Sequence, residues 1–186
     1  MSVLSDAHIV RAIQTKDLEI DPFSENSVQP ASYDIHLGNN FVTFDGHGVV
    51  NPLKDVPFGE REITVKDGHK IIYPQKFMLA TTLEYVKLGY SIVARVEGVS
   101  SLGRIGLVVH STAGYIDPGF IGQITLELFN MAPFPIMLTP GMRVAQLAFE
   151  RTTGPSSGYK GRYQGQTGPT ASRSWQTKSG RPDSNR

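Results

Sequence analysis

The sequence predicts a mainly β protein, a sandwich, jelly roll or barrel with one short helix ahead of it. Short apolar or alternating runs recur along most of the chain, and Gly, Pro, Asn or Asp separates most of them. With 19 Gly and 12 Pro among 186 residues, turns are favoured over long helices. That length suits one domain with a sizeable core.

Taken in order, the elements have separate causes. Ser5 is placed to cap a helix on which Ile9, Val10 and Ile13 share a face, with Asp6 in the first turn where the helix dipole favours it. Asp21-Pro22 and the polar run to Gln29-Pro30 end that helical region. Strands are then expected at 41–44, 62–65, 77–80, 92–96, 107–109, 123–129, 136–138 and 144–149. After Thr152 the apolar signal gives way to Gly, Ser, Thr and Pro. The expected boundary therefore separates a β domain, 1–152, from a basic Gly/Ser-rich tail, 153–186, whose last few residues are expected to be disordered.

The formal net charge of +1 gives no reason to expect nucleic acid or a membrane as partner. Charge is unevenly spread, however. From Tyr159 onward Lys160, Arg162, Arg173, Lys178, Arg181 and Arg186 face a single acid, Asp183, and leave the body mildly acidic. Such a tail is either a solvated terminus or a flap that closes over phosphates. The chain has no cysteine, which excludes disulfides and thiol nucleophiles and fits a cytoplasmic protein. Neither a signal peptide nor an apolar run of membrane-spanning length is visible.

Chemistry-bearing residues concentrate between Glu97 and Leu128. Ser100-Ser101-Leu102-Gly103-Arg104 sets hydroxyls and a guanidinium on a tight turn or helix start, where backbone N–H groups meet phosphate oxygens. By itself this run is an ordinary capped turn. Asp117-Pro118-Gly119 is likewise a good turn sequence in its own right. In an alternating strand, Thr125 and Glu127 share one face while Ile124, Leu126 and Leu128 share the other, so Glu127 faces away from the core. Together these residues suit the holding of a polyanionic nucleotide and the activation of a water.

With Val28-Gln29-Pro30-Ala31-Ser32-Tyr33-Asp34, Pro140-Gly141-Met142-Arg143-Val144-Ala145-Gln146 and Tyr163-Gln164-Gly165-Gln166, this set resembles the dCTP deaminases, which belong with the dUTPases. The resemblance runs over nearly the whole chain. It implies a dUTPase-like distorted jelly roll, homotrimers with sites between subunits, and a tail that acts as a flap up to about Gln166. It also implies hydrolytic deamination of dCTP in the supply of dUMP. Zinc-dependent nucleobase deaminases need cysteines around the metal, so deamination here would proceed without zinc.

By the same resemblance Glu127 is the catalytic acid–base, with Ser100, Arg104 and the Ala113 carbonyl around the nucleophilic water. Asp117 takes the deoxyribose 3′-hydroxyl. Ser101, Leu102, Gly103, Thr125, Leu126, Gln146, Tyr159, Arg162 and Gln166 fall at nucleotide-binding positions. His110 reads as structural. Gly114-Tyr115 looks like the dUMP-forming, bifunctional branch, small Gly114 leaving room for a second attacking water. Mg²⁺ would arrive with the triphosphate, held by phosphate oxygens and water rather than a protein cage. Feedback by dTTP at the same site is a further implication.

Val99 departs from the pattern, because the family usually has Lys or Arg there. A tail cation substitutes, the substrate has changed to a monophosphate or a modified cytosine, or this copy is impaired. The competing readings are a deaminase that stops at dUTP, a dUTPase, and a non-catalytic nucleotide-binding regulator. Thr125-Leu126-Glu127 and the lack of a dense glycine motif in the tail stand against the dUTPase.

Overall fold

In the computed structural model, residues 2–176 are described apart from 47, 55–58, 111 and 175. The expected disorder of the chain end, with Lys178, Arg181 and Arg186, lies outside the described residues.

Strand β1 (Ser2–Val3) leads into helix α1 (Asp6–Gln14), which buries Ile9 and Ala12. Ser5 does occupy the cap position, but its hydroxyl does not bond a backbone N–H. It lies 2.8 Å from His8 Nδ1, while the Ser5 carbonyl accepts from the Ile9 N–H at 2.8 Å. The expected side-chain cap is therefore replaced by a polar contact along the helix.

The strands that follow are β2 (Leu18–Asp21), β3 (Val28–Gln29), β4 (Ser32–Phe44), β5 (Glu60–Thr64), β6 (Lys70–Ile72), β7 (Phe77–Leu88) and β8 (Ile92–Gly98). A single helical turn, α2 (Ser100–Gly103), precedes β9 (Leu107–Val109), β10 (Tyr115–Ile116), β11 (Ile121–Asn130), β12 (Ile136–Leu138) and β13 (Arg143–Arg151). All eight expected strands are present. Pairing is antiparallel throughout the main sheet, in the order β10-β8-β13-β4-β7-β11-β9, with β1, β2, β3 and β5 added at its sides. Strands β6 and β12 pair separately. The sheet curls into a half-barrel, the mainly β architecture the sequence leads one to expect. Among the described residues, no helix is long and apolar enough to cross a membrane.

Two strands run further than their apolar patterns indicate. Strand β4 begins at Ser32, through Asp34 and His36, because these polar groups find partners inside the fold. Asp34 accepts from Gln29 Nε2 at 3.1 Å and Arg143 Nη1 at 3.0 Å, and His36 Nδ1 lies 2.6 Å from Glu84. Strand β7 continues through Thr81, Thr82 and Glu84, all buried. The Thr82 hydroxyl donates to the Glu84 carbonyl and accepts from the Ile124 N–H, and the Glu84 carboxylate accepts from His36, whereas the buried Thr81 hydroxyl has no partner among the described residues.

Strand β11 carries the pattern that matters for the site. Gly122, Ile124, Leu126, Leu128 and Asn130 are buried, while the alternate residues are only partly so. Leu126 and Leu128 are fully enclosed with Phe41, Leu147 and Phe149 in the core. After β13 the tail folds back on the domain. The Tyr159 N–H donates to the Pro118 carbonyl at 2.7 Å, the Gly165 N–H to Ile121 at 2.7 Å, and Gln166 forms a parallel bridge with Gly122. Its contacts extend beyond Gln166 to Ser174, whose hydroxyl donates to the Pro52 carbonyl.

Candidate active site

The outward side of β11 forms the floor of a cavity of about 1120 Å³, into which Thr125 and Glu127 project. Alternation does this: the pleat that buries Leu126 and Leu128 delivers the two polar residues to the opposite side, while Ile124, at the register shift between Gln123 and Thr125, also lines the cavity. Apolar and aromatic residues make up much of the remaining lining, including Phe44, Phe77, Leu79, Val96 and Phe120. The Phe44 and Phe77 rings stack at 5.8 Å. A few placed polar groups in an apolar cleft is the usual composition of a small-molecule site.

The connection from β9 to β10 forms one wall. Its first residue, His110, has φ +59°, and its N–H donates to the Glu127 carbonyl at 2.8 Å. The left-handed turn there redirects the chain, and the Thr112 hydroxyl then donates to Glu127 Oε2 at 3.2 Å. Ala113 and Tyr115 line the cavity beyond it. Gly114 packs against β8 instead: its carbonyl accepts from the Val96 N–H at 2.8 Å, and a Cβ there would come within 3.0 Å of the Val96 carbonyl oxygen. On that side the room that the sequence reading reserves for a second water is taken by the β8 backbone.

Asp117 closes a turn and also lines the cavity. Its carbonyl accepts from the Phe120 N–H at 3.2 Å across a turn with Gly119 at φ +78°, and its side chain lines the cavity. Burial pushes its carboxyl above the usual carboxylate range. Burial also raises the Tyr159 phenol, which shares this corner and tilts against Phe120 at 5.9 Å. The tail supplies the last wall through Tyr159, Tyr163, Gln166, Thr170 and Ser172.

The cavity thus unites Ala113, Tyr115, Asp117, Thr125, Glu127, Tyr159 and Gln166. Other candidates stand outside it. Ser100, Ser101, Gly103 and Arg104 are exposed on α2 and its end, and only Leu102 packs toward the core. Val99 caps α2 through its carbonyl, which accepts from the Leu102 and Gly103 N–H groups at 3.0 and 3.1 Å. Leu126 has its side chain fully in the core, so only its main chain is available to a ligand. Gln146 accepts from the Ser32 hydroxyl at 3.0 Å, and Arg162 donates to the Arg173 carbonyl at 2.8 Å.

Thr112 and Ser172 belong to the cavity wall without having been expected at the site, and Tyr163 and Thr170, which the sequence marks only as parts of tail motifs, line it too. Thr112 sits within the run that held His110 and Ala113, but which hydroxyl of that run turns inward depends on the bend at His110. Among the described residues no group of three His, Asp or Glu side chains converges to hold a metal ion, and the carboxylates lining the cavity are Asp117 and Glu127.

Residues 3–152 match the family described as dCTP deaminase-like. A protein of Salinispora tropica named "dCTP deaminase, dUMP-forming" is 45% identical over 184 residues, covering 94% of this chain and 96% of its own. A protein of Beutenbergia cavernae with the same name is 48% identical over 181 residues, with coverages of 92% and 94%. Among solved structures, the 2′-deoxycytidine 5′-triphosphate deaminase of Agrobacterium tumefaciens has a similar fold, with a TM-score of 0.64 at 22% identity over 81% of this chain. The present chain spans about half of that longer one, 48%.

Proposed function

The chain belongs to the dCTP deaminase family, and we propose that the cavity over β11 is where it works, with Glu127 as the group that moves the protons. The enzyme is a hydrolase that deaminates dCTP and yields dUMP. Replacing the 4-amino group of cytosine by oxygen requires water to add at C4, N3 to gain a proton and ammonia to leave. One carboxylate can take the proton from the water and hand it back, work that contributes about 10²–10⁴-fold. Glu127 is suited to it by its place in a largely apolar cleft. The Thr112 hydroxyl holds one of its oxygens, and the His110 N–H ties its main chain.

The remaining roles follow from position. Thr125 lies two residues along the same strand face and meets the base or sugar. Asp117 accepts from the 3′-hydroxyl of the deoxyribose, and its desolvation strengthens that bond. Ala113 offers its carbonyl to the water, and Tyr159 and Gln166 close over the nucleotide from the tail. Ser100, Ser101 and Arg104 stand outside the cavity of their own chain, which supports a homotrimer in which α2 of one subunit completes the site of another. Gly103, the Leu102 and Leu126 main chains, Gln146 and Arg162 act at the edges of that composite site.

For the second step, release of pyrophosphate to give dUMP, Tyr115 lies in the cavity and Gly114 holds its strand against β8. Mg²⁺ fits as a companion of the triphosphate, held by phosphate oxygens and water, since two separate carboxylates make no cage for it. When bound it neutralises phosphate charge. A dTTP molecule shares the sugar and triphosphate and competes for the same pocket as a feedback inhibitor. A cysteine-free enzyme of this kind operates in the cytoplasm.

The observation that carries this reading is the position of Glu127 on the cavity side of β11, in a cavity that Ala113 and Asp117 also line. Glu127→Gln removes the proton shuttle while keeping shape. It should lower ammonia release from dCTP by at least about 10²-fold, with nucleotide binding retained when measured by calorimetry. Normal turnover by this variant would end the assignment.

A further inference from the structure

Resting on the functional reading above and deepening it, we propose that Arg173 is a positioning residue for the reaction. With Arg162 it clasps the tail loop 162–173, whose inner run forms one wall of the Glu127 cavity. The clasp is reciprocal: Arg162 Nη1 donates to the Arg173 carbonyl at 2.8 Å, and Arg173 Nη1 donates to the Arg162 carbonyl at 2.7 Å. The Arg173 backbone N–H also donates to the Tyr163 hydroxyl at 3.1 Å, and its guanidinium carbon lies 6.0 Å from the centre of that ring. A planar guanidinium can lie on a ring and serve a carbonyl at once, with donors held in a fixed fork that a flexible ammonium lacks.

Between the clasped ends the loop is stitched to β11 at alternate residues. Gln166 bridges to Gly122, the Gly168 N–H donates to Gln123 Oε1 at 2.8 Å, and the Thr170 N–H donates to Thr125 Oγ1 at 3.0 Å. The last of these reaches the substrate position directly. Because the Thr125 hydroxyl accepts from the loop, its own proton is left to donate into the cavity. Arg173 therefore acts on the reaction through a traceable series: clasp, loop, Thr125. Closing the loop at its base also reduces the chain that must be ordered each time Thr170 meets Thr125.

The test uses the full chain and two readouts. One is hydrogen exchange at the Gly168 and Thr170 amides in the free protein. The other is steady-state ammonia release from dCTP with Mg²⁺. Arg173→Ala should speed exchange at both amides and raise KM about tenfold, with kcat within about twofold and an unchanged melting temperature. Arg173→Lys should fall between, and Tyr163→Phe, which keeps the ring but removes the acceptor, should speed the same amides to a smaller extent. Unchanged exchange would overturn the clasp. Faster exchange with unaltered KM, or a fallen melting temperature with kcat and KM lost together, would overturn its role in positioning. A wild-type chain that releases no ammonia from dCTP would instead overturn the functional reading, and with it this role, while exchange still decides whether the clasp exists.

Discussion

Asp117 shows how one residue can serve the fold and the site. Its main chain closes a turn and its carboxyl lines the cavity, where burial raises its pKa. The neutral form is thus favoured in the folded protein relative to the unfolded chain. Its contribution to stability is fully present below the unfolded pKa and is lost as pH rises through the folded one. Function runs the other way, because the ionised form is the better acceptor for a sugar hydroxyl. The KM for dCTP should therefore rise on acidification at a pH where an exposed aspartate would still be ionised. Asp117→Asn should flatten that dependence and melt higher than wild type at neutral pH. Paired KM–pH profiles check this, and a profile unchanged by the substitution would remove Asp117 from sugar recognition. At Val99, the carbonyl's role in capping α2 explains why a valine is tolerated there, and Lys76 is a cation that lines the chain's own cavity.

Among the elements, β11 is the one whose strand form and outward face were both legible in advance. Period-two alternation separates Glu127 from Leu126 and Leu128 without reference to any other strand. The full lengths of β4 and β7 were not legible, because Asp34, His36, Thr82 and Glu84 look like loop residues until their partners on neighbouring strands are known. The same limit hid Thr112, which depends on the bend at His110, and the tail beyond Gln166, which is held largely by main-chain donors such as Gly168 and Thr170. Gly114 was noticed for a different reason from the one its surroundings supply. Its Cβ would press on the Val96 carbonyl, so Gly114→Ala should loosen β10 from β8. The expected cost is about 1–3 kcal/mol of stability, read as a lowered melting temperature, with Tyr115 displaced. A fully stable variant would restore the spare-room reading of that glycine.

At the scale of the whole molecule, most of the candidate residues fall into two sets: those around Glu127 in the cavity, and those on exposed α2. A site shared between subunits reconciles them, and it makes an assembly prediction. Chains carrying Glu127→Gln and chains carrying Arg104→Ala should each be inactive alone. Unfolded together and refolded, they should regain part of the wild-type rate, because some sites then combine an intact Glu127 with an intact Arg104. No recovery in verified mixed assemblies would place both residues in one subunit.

The central claim is that one cavity takes dCTP to dUMP. Its most direct test is to incubate the wild-type chain with dCTP and Mg²⁺, resolve the nucleotides by anion exchange and assay ammonia in the same samples. Ammonia and dUMP in equal amounts, with no build-up of dUTP, are expected. Ammonia with accumulating dUTP would contradict the second step, and intact dCTP with no ammonia would contradict the claim as a whole.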